Sequence, residues 1–285
     1  LVIAVCLFSA APFAYSQWTS VAPGIDYRKY TLTAPDPAPN NVFVARMDRT
    51  NPDCIIDSSI ALGQLRSGRE TVSGMANRYE DTINYWGGSY GQRSDVVVAI
   101  NGDGFVSSGV GPTNGQIISG SQAWRWPEYS GGSGFCWKLD RTCFLGGNVR
   151  NGNVPGFEYQ FIYFANGGYV VPTAVNKARD PAVADELIVY TTQFAANTYT
   201  DSAGTEVLVE MATPLLAGKV GSADYLYGTI RQVRQNAGST PIPFDHIVLS
   251  GKGSYATILN SNCAVGIPTI EDRPITTASI PVMSG

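Results

Sequence analysis

The feature that most constrains this chain is the rhythm of its apolar residues. One segment follows a helical period, and most other apolar stretches are short runs bounded by turn-forming residues. In the helical segment Val72, Met75, Ala76, Tyr79, Ile83 and Trp86 recur at intervals of three and four, the spacing that gathers side chains on one helical face. Ser67-Gly68-Arg69-Glu70 precedes them in the order of a capping box, with Ser67 as N-cap and Glu70 reaching back, and Gly87-Gly88 follows as a stop. The pattern predicts a helix between Ser67 and Trp86. The segments Asn41 to Met47, Asp95 to Ile100, Phe157 to Phe164, Glu186 to Thr191, Glu206 to Glu210, Tyr225 to Val233 and His246 to Leu249 read as strands, and the Pro-rich stretch from Thr31 to Asn41 reads as a loop. One early helix followed by many strands is an α+β pattern: β-rich mixed sheets with one main early helix.

A chain of 285 residues, 44% of them hydrophobic, is long enough to bury a proper core. Its formal charge of -4 and the lack of any basic cluster exclude the electrostatic footprint of a nucleic-acid binder. Leu1 to Phe13 is almost wholly apolar and too short to span a bilayer. With Ala14 and Ser16 as small residues ahead of Gln17, it reads as the remnant of a secretory signal. Residues 1–16 are therefore expected to be a signal remnant, residues 17–285 the folded domain, and the protein secreted without stable membrane insertion. The sequence begins without an initiator Met.

Once Cys6 leaves with the signal, Cys54, Cys136, Cys143 and Cys263 remain, an even number in an oxidising compartment. Cys136 and Cys143 sit symmetrically about a Leu139-Asp140-Arg141 turn and are expected to bridge across a hairpin. Cys54 and Cys263 then pair by elimination. Zinc is the competing use of four cysteines, but there is no C-x-x-C pair and His246 is the only histidine. No metal site and no cofactor are expected.

Three segments can carry chemistry. In Val98-Ala99-Ile100-Asn101-Gly102-Asp103-Gly104-Phe105, glycines flank an acid at the end of an apolar run. Such a loop either presents backbone N–H groups and a carboxylate to a ligand or is simply a tight turn. In Asn176-Lys177-Ala178-Arg179-Asp180, Arg179 offers the planar fork that grips phosphate, unless the loop is merely solvated. Gly251-Lys252-Gly253-Ser254-Tyr255-Ala256 has the shape of a dinucleotide fingerprint, but Pro268 and Pro274 crowd the place of the next strand, which favours a Gly-rich surface loop. His246 and Ser250 fit no triad order, and His246 reads as structural.

The order of these segments resembles the phosphodiester glycosidase family, which includes the enzyme that uncovers mannose 6-phosphate. The resemblance runs from about Val96 to Leu259. It is carried by Asn101-Gly102-Asp103-Gly104-Phe105, Trp137 to Asp140, Val175 to Arg179, Asp185 to Thr191, Gly204 to Val209, Ile242-Pro243 and Val248 to Gly253. Gly104, Ala178 and Lys252 stand where the family has other residues. Two later family motifs, Pro-Arg-Thr and Asp-Gly-Gly-Gly-Ser, are missing, which points to a domain cut short at its C-terminal end.

The resemblance implies a secreted hydrolase that cleaves the glycosidic bond of a sugar-1-phosphodiester, with a carbohydrate or sugar phosphate as partner. Asp103 and Glu206 are the candidate carboxylates for acid or base work. Asn101, Gly102, Gly104, Asn176 and Arg179 are the candidate substrate-binding residues, with Asn101, Asp103 and Arg179 around one pocket. The alternative is a non-catalytic secreted module that keeps the first half of the fold and stacks sugars on Trp124, Trp126 and Tyr129.

Overall fold

The computed structural model describes residues 17–32, 40–57, 59–66, 68–83, 95–102, 116–118, 121–124, 133–137, 140–147, 162–212, 225–226, 228–265 and 275–276. The chain divides into two compact units, Leu1–Ile55 and Ile56–Gly285. The architecture is α+β and rich in strands.

The first unit is an antiparallel sheet of β1 (Thr19–Ala22), β2 (Ile25–Leu32) and β3 (Asn40–Met47) in that order. Gly24 closes the β1–β2 turn at φ +78°, where a Cβ would stand 2.6 Å from Asn51 Nδ2. Asn51 Nδ2 and the Cys54 thiol both donate to the Pro23 carbonyl, at 3.1 and 3.4 Å. Opposite charges at facing positions, Asp26 and Arg46, meet at 2.9 Å.

The second unit opens with a 3-10 turn (Ala61–Gly63) and helix α1 (Val72–Ile83). The helix falls within the predicted segment but starts later than Ser67, which lies outside the described residues. Its cap is Thr71, whose Oγ1 accepts the Gly74 N–H at 3.0 Å. Glu70 does not complete a capping box. Its carboxylate accepts the Leu62 N–H at 2.8 Å and pairs with Arg78 at 3.0 Å, which holds it below the usual carboxylate range. Val72, Met75, Ala76 and Tyr79 are half-buried, so this face is less enclosed than the period suggests.

Residues 95–100 are not a strand. Ile100 is 85% exposed, and the Val96 N–H donates to Glu80 Oε1 of α1 at 2.7 Å instead of to a neighbouring strand. Two-stranded ladders follow: β4 (Gln116–Ile118) with β5 (Ser121–Trp124), β6 (Ser133–Trp137) with β7 (Cys143–Gly147), and β8 (Ile162–Tyr163) with β9 (Tyr169–Val170).

The expected disulfides are not formed. On the β6–β7 hairpin Cys143 faces Trp137 and Cys136 faces Phe144, so the two cysteines are one position out of register. Cys143 is an exposed free thiol that donates to the Arg141 carbonyl at 3.5 Å. Cys54 carries a thiol held against Pro23, and Cys263 is a free thiol buried in the core of the second unit.

That core is built on a five-stranded mixed sheet. Its strands are β10 (Ala174–Val175), β11 (Glu186–Tyr190), β15 (His246–Lys252), β12 (Thr205–Met211) and β14 (Gly228–Gln235), in this spatial order. Only the β10–β11 pair is parallel. A short pair, β13 (Tyr225–Leu226) with β16 (Ile275–Thr276), completes the described strands.

The central strands alternate between two buried faces, which explains their near-continuous apolar runs. Leu187, Val189, Val207, Val209, Ile247 and Leu249 pack on one face with Leu259 and Cys263 of helix α2 (Ser254–Asn262) and its end. Ile188, Tyr190 and Val248 pack on the other with Ile60, Leu65, Phe194 and Ile242. Each fully buried aliphatic side chain contributes about 1.5–3 kcal/mol over an exposed one. The predicted strands at Glu186, Glu206, Tyr225 and His246 are all present in this unit, β13 and β14 dividing the third of them.

Helix α2 stands where the sequence suggested a surface loop. It starts after Gly253, at φ +61°, and its first N–H, on Ser254, donates to Asp185 Oδ1 at 2.5 Å. Gly251 permits the close packing of this helix, since a Cβ there would lie 2.8 Å from Leu259 Cδ1.

Candidate functional site

The alternation of β12 turns Thr205, Val207, Val209 and Met211 toward the α2 side and leaves Glu206 on the opposite face. There Glu206 lies directly across from Ser250 on one neighbour and Arg234 on the other, while Ser250 faces Ile188. Glu206 is completely buried. Its Oε1 accepts hydrogen bonds from Thr200 Oγ1 at 2.6 Å and Ser250 Oγ at 2.9 Å. Its Oε2 accepts from Thr198 Oγ1 at 3.2 Å, Thr240 N at 3.0 Å and Thr240 Oγ1 at 2.5 Å. Five donors saturate the carboxylate, which is how a buried charge is made tolerable without a directly contacting cation.

Two arginines reach this hub through hydroxyl groups. Arg234 Nη1 donates to Thr240 Oγ1 at 2.7 Å, and Arg179 Nη2 donates to Ser250 Oγ. The Arg179 side chain is only 4% exposed. Its Nη1 donates to Asp201 Oδ1 at 3.1 Å and to the Ala203 carbonyl at 2.9 Å. Asp201 also accepts the Ala203 N–H, and these contacts hold its carboxyl below the usual range. Two buried polar atoms in this region have no hydrogen-bond partner among the described residues: Arg179 Nε and the Tyr190 phenol oxygen. Burial pushes the Tyr190 phenol well above its ordinary pKa, so it stays protonated and able to donate.

The loop that carries Arg179 is fixed by Asn176, which is fully buried at φ +52°. Asn tolerates this left-handed conformation better than most residues. Its Nδ2 donates to Thr191 Oγ1 at 2.8 Å, and its Oδ1 accepts the Thr191 N–H at 2.7 Å. Beyond it, Lys177 Nζ stands 4.0 Å from Glu186, whose carboxylate accepts the Asp180 N–H at 3.3 Å.

Of the residues singled out in the sequence, the structure brings Arg179 and Glu206 into one network, with Asn176 holding the Arg179 loop. Glu206 is enclosed, with five donors on its carboxylate, and Asn176 latches its loop to Thr191. Asn101 and Gly102 are exposed, while Asp103 and Gly104 lie outside the described residues, as do Trp126, Tyr129 and the side chain of Trp124. Sequence reasoning weighed Ser250 only as a triad partner of His246, and it missed Thr198, Thr200, Thr240 and Tyr190. The signal available was weak: a polar Ser250 ending an apolar run, and hydroxyls at 198 and 200 spaced for one side of an extended chain.

The fingerprint-like Gly251 segment is a strand–turn–helix, but the helix N-terminus is taken by Asp185, and the strand bearing it pairs antiparallel on both sides. That is not the parallel βαβ setting in which a dinucleotide binds. Among the described residues no cluster of three or more His, Cys, Asp or Glu is placed to hold a metal ion.

No family model matches the chain, and no curated protein matches it. Among the solved structures similar to it are two, one a hypothetical and one an exported protein by name. One is the crystal structure of a hypothetical protein from Synechocystis, at 13% identity and TM-score 0.48, covering 87% of this chain and 38% of that one. The other, from Burkholderia pseudomallei K96243, bears the name "Putative exported protein", at 16% identity and TM-score 0.48, covering 84% and 46%. The chain spans less than half the length of either protein.

Proposed function

We propose that this chain is an exported hydrolase that cleaves the glycosidic bond of a sugar-1-phosphodiester, releasing a sugar and a phosphomonoester. The observation that carries the reading is Arg179. Its guanidinium is fixed by Asp201, Ala203 and Ser250, yet its Nε is left without an acceptor, beside a region where the Tyr190 phenol is also unpartnered. A phosphodiester oxygen is the acceptor that such donors suit. The segments that resemble the phosphodiester glycosidases also support it: Val175 to Arg179, Asp185 to Thr191, Gly204 to Val209 and Val248 to Gly253 are contiguous on the central sheet. The apolar run ahead of Gln17 supports export.

The test is hydrolysis of a synthetic sugar-1-phosphodiester by the secreted protein, with sugar and phosphomonoester both quantified. The Arg179→Lys variant keeps the charge but loses the fork, and kcat/KM is expected to fall by about 100-fold, in line with the loss of one or two charge-assisted hydrogen bonds. Absence of sugar release by the wild-type protein, or an Arg179→Lys variant with unchanged kcat/KM, would refute the reading.

A further inference from the structure

Two buried carboxyl groups lie on the same face of the central sheet, separated by β15: Glu206 faces Ser250 and Glu186 faces Lys252. Their surroundings are opposite. Glu206 accepts five hydrogen bonds. Glu186, with a side chain only 4% exposed, accepts the Asp180 N–H at 3.3 Å and sees Lys177 Nζ at 4.0 Å. Lys177 is the solvent-facing member of this pair, at 37% exposure. Among the described residues, the other charged or titratable groups around Glu186 are Arg179 and Asp180 on the same loop, Tyr190 on its own strand, and Lys252 on β15, whose Nζ donates to the Pro181 carbonyl.

We propose that Glu186, and not Glu206, is the proton-accepting carboxylate of this site, taking the proton of the water that attacks the anomeric carbon. The inference rests on the phosphodiester reading given above. In the step it describes, the water oxygen bonds to the anomeric carbon as the bond from that carbon to the phosphate oxygen breaks. The electron pair of the broken bond stays on the phosphate, and one water proton passes to Glu186. An ordinary glycosidase needs a second carboxyl group to protonate its leaving group. A phosphomonoester, whose second pKa is near 6, leaves as an anion without that proton. One carboxylate with an acceptor position open to water is therefore sufficient, and Glu206 offers none, since five donors already occupy its oxygens.

Burial is the largest influence on Glu186 and pushes its carboxyl above the usual range; Lys177, Arg179 and the Asp180 N–H pull the other way. A base held closer to working pH is the more effective one.

The experiment uses the full chain and a sugar-1-phosphodiester, with two readouts. The first is the pH dependence of kcat and KM for wild type, Glu186→Gln and Glu186→Asp. The second is the titration of ¹³C-labelled glutamate carboxyl groups without substrate, with Glu186→Gln identifying the Glu186 signal. Glu186→Gln is expected to lower kcat by about 10²–10⁴-fold with KM nearly unchanged, and to remove the acid limb of the profile. Glu186→Asp is expected to keep that limb at a reduced rate, and the Glu186 signal to titrate above the usual glutamate range. An active enzyme whose acid limb survives in Glu186→Gln, or a Glu186 signal in or below the usual range, overturns the assignment alone. A wild-type chain that releases no sugar overturns the phosphodiester reading and, with it, the reaction assigned to Glu186.

Discussion

Replacing Glu206 tests the physical account of the site most directly. In Glu206→Ala, the hydroxyls of Thr198, Thr200, Thr240 and Ser250 and the Thr240 N–H lose their acceptor inside a closed core. Part of the loss is recovered locally. Thr198 and Thr200 hydroxyls already lie 3.3 Å apart, and the Thr240 N–H already has Thr198 Oγ1 at 3.0 Å. Arg179 and Arg234 lose the negative charge toward which their hydroxyl partners point, although Arg179 keeps Asp201. Removing one member of such a buried charged network costs about 3–5 kcal/mol.

Glu206→Gln preserves the shape. Its carbonyl can accept the Thr240 N–H, and its amide can donate to the Thr200 and Ser250 hydroxyls, which rotate to accept. Its cost is therefore about 1–2 kcal/mol, that of weakened but not abandoned hydrogen bonds. Urea unfolding of the full chain, with the slope checked to be unchanged, measures both. An Ala variant within about 1 kcal/mol of wild type, or a Gln variant as destabilised as Ala, would refute the view that hydrogen-bond saturation of a buried charge organises this face.

Three further outcomes are expected. Gly204 adopts φ +138° and a Cβ there would stand 2.1 Å from the Gly251 carbonyl oxygen, so Gly204→Ala should destabilise the fold by more than about 2 kcal/mol, measured by the same unfolding assay. Thr71→Ala should cost about 1 kcal/mol through loss of the α1 cap, with Thr71→Ser close to wild type; equal midpoints for all three proteins would remove Thr71 as the cap. Cys143 should react with a thiol reagent in the folded chain, whereas Cys263, buried and with its thiol pushed up to about 12, should react only on unfolding. Recovery of a Cys136–Cys143 or Cys54–Cys263 disulfide peptide from folded protein would contradict that pattern.

What was legible in the sequence was largely local. Runs such as Glu186 to Tyr190 and Thr205 to Met211 declare themselves as strands because β-branched and aliphatic side chains suit a surface buried on both sides, and their period of two assigns each residue a face. The three-and-four spacing from Val72 likewise declared α1, though not its first residue: Thr71 and Ser67 are both chemically able to cap, and Glu70 was drawn instead to Arg78.

Helix α2 escaped notice because Ser, Thr and Asn interrupt its apolar residues. Its start is marked by Asp185, a residue 69 positions away in sequence, so no local signal announces it. The cysteines show the same limit: symmetry about a turn suggested a bridge, but a register shifted by one position keeps Cys136 and Cys143 from facing.

The meaning of Glu206 was decided by tertiary structure alone. From sequence it is an acid in an apolar strand, equally suited to catalysis or to an ion pair. Its partners come from Thr198, Thr200, Thr240 and Ser250, segments that only the strand order β11-β15-β12-β14 and the connections beside it bring together. Side-chain period selects the face of a sheet, but strand order and register select which donors share that face, and these are set by long-range packing.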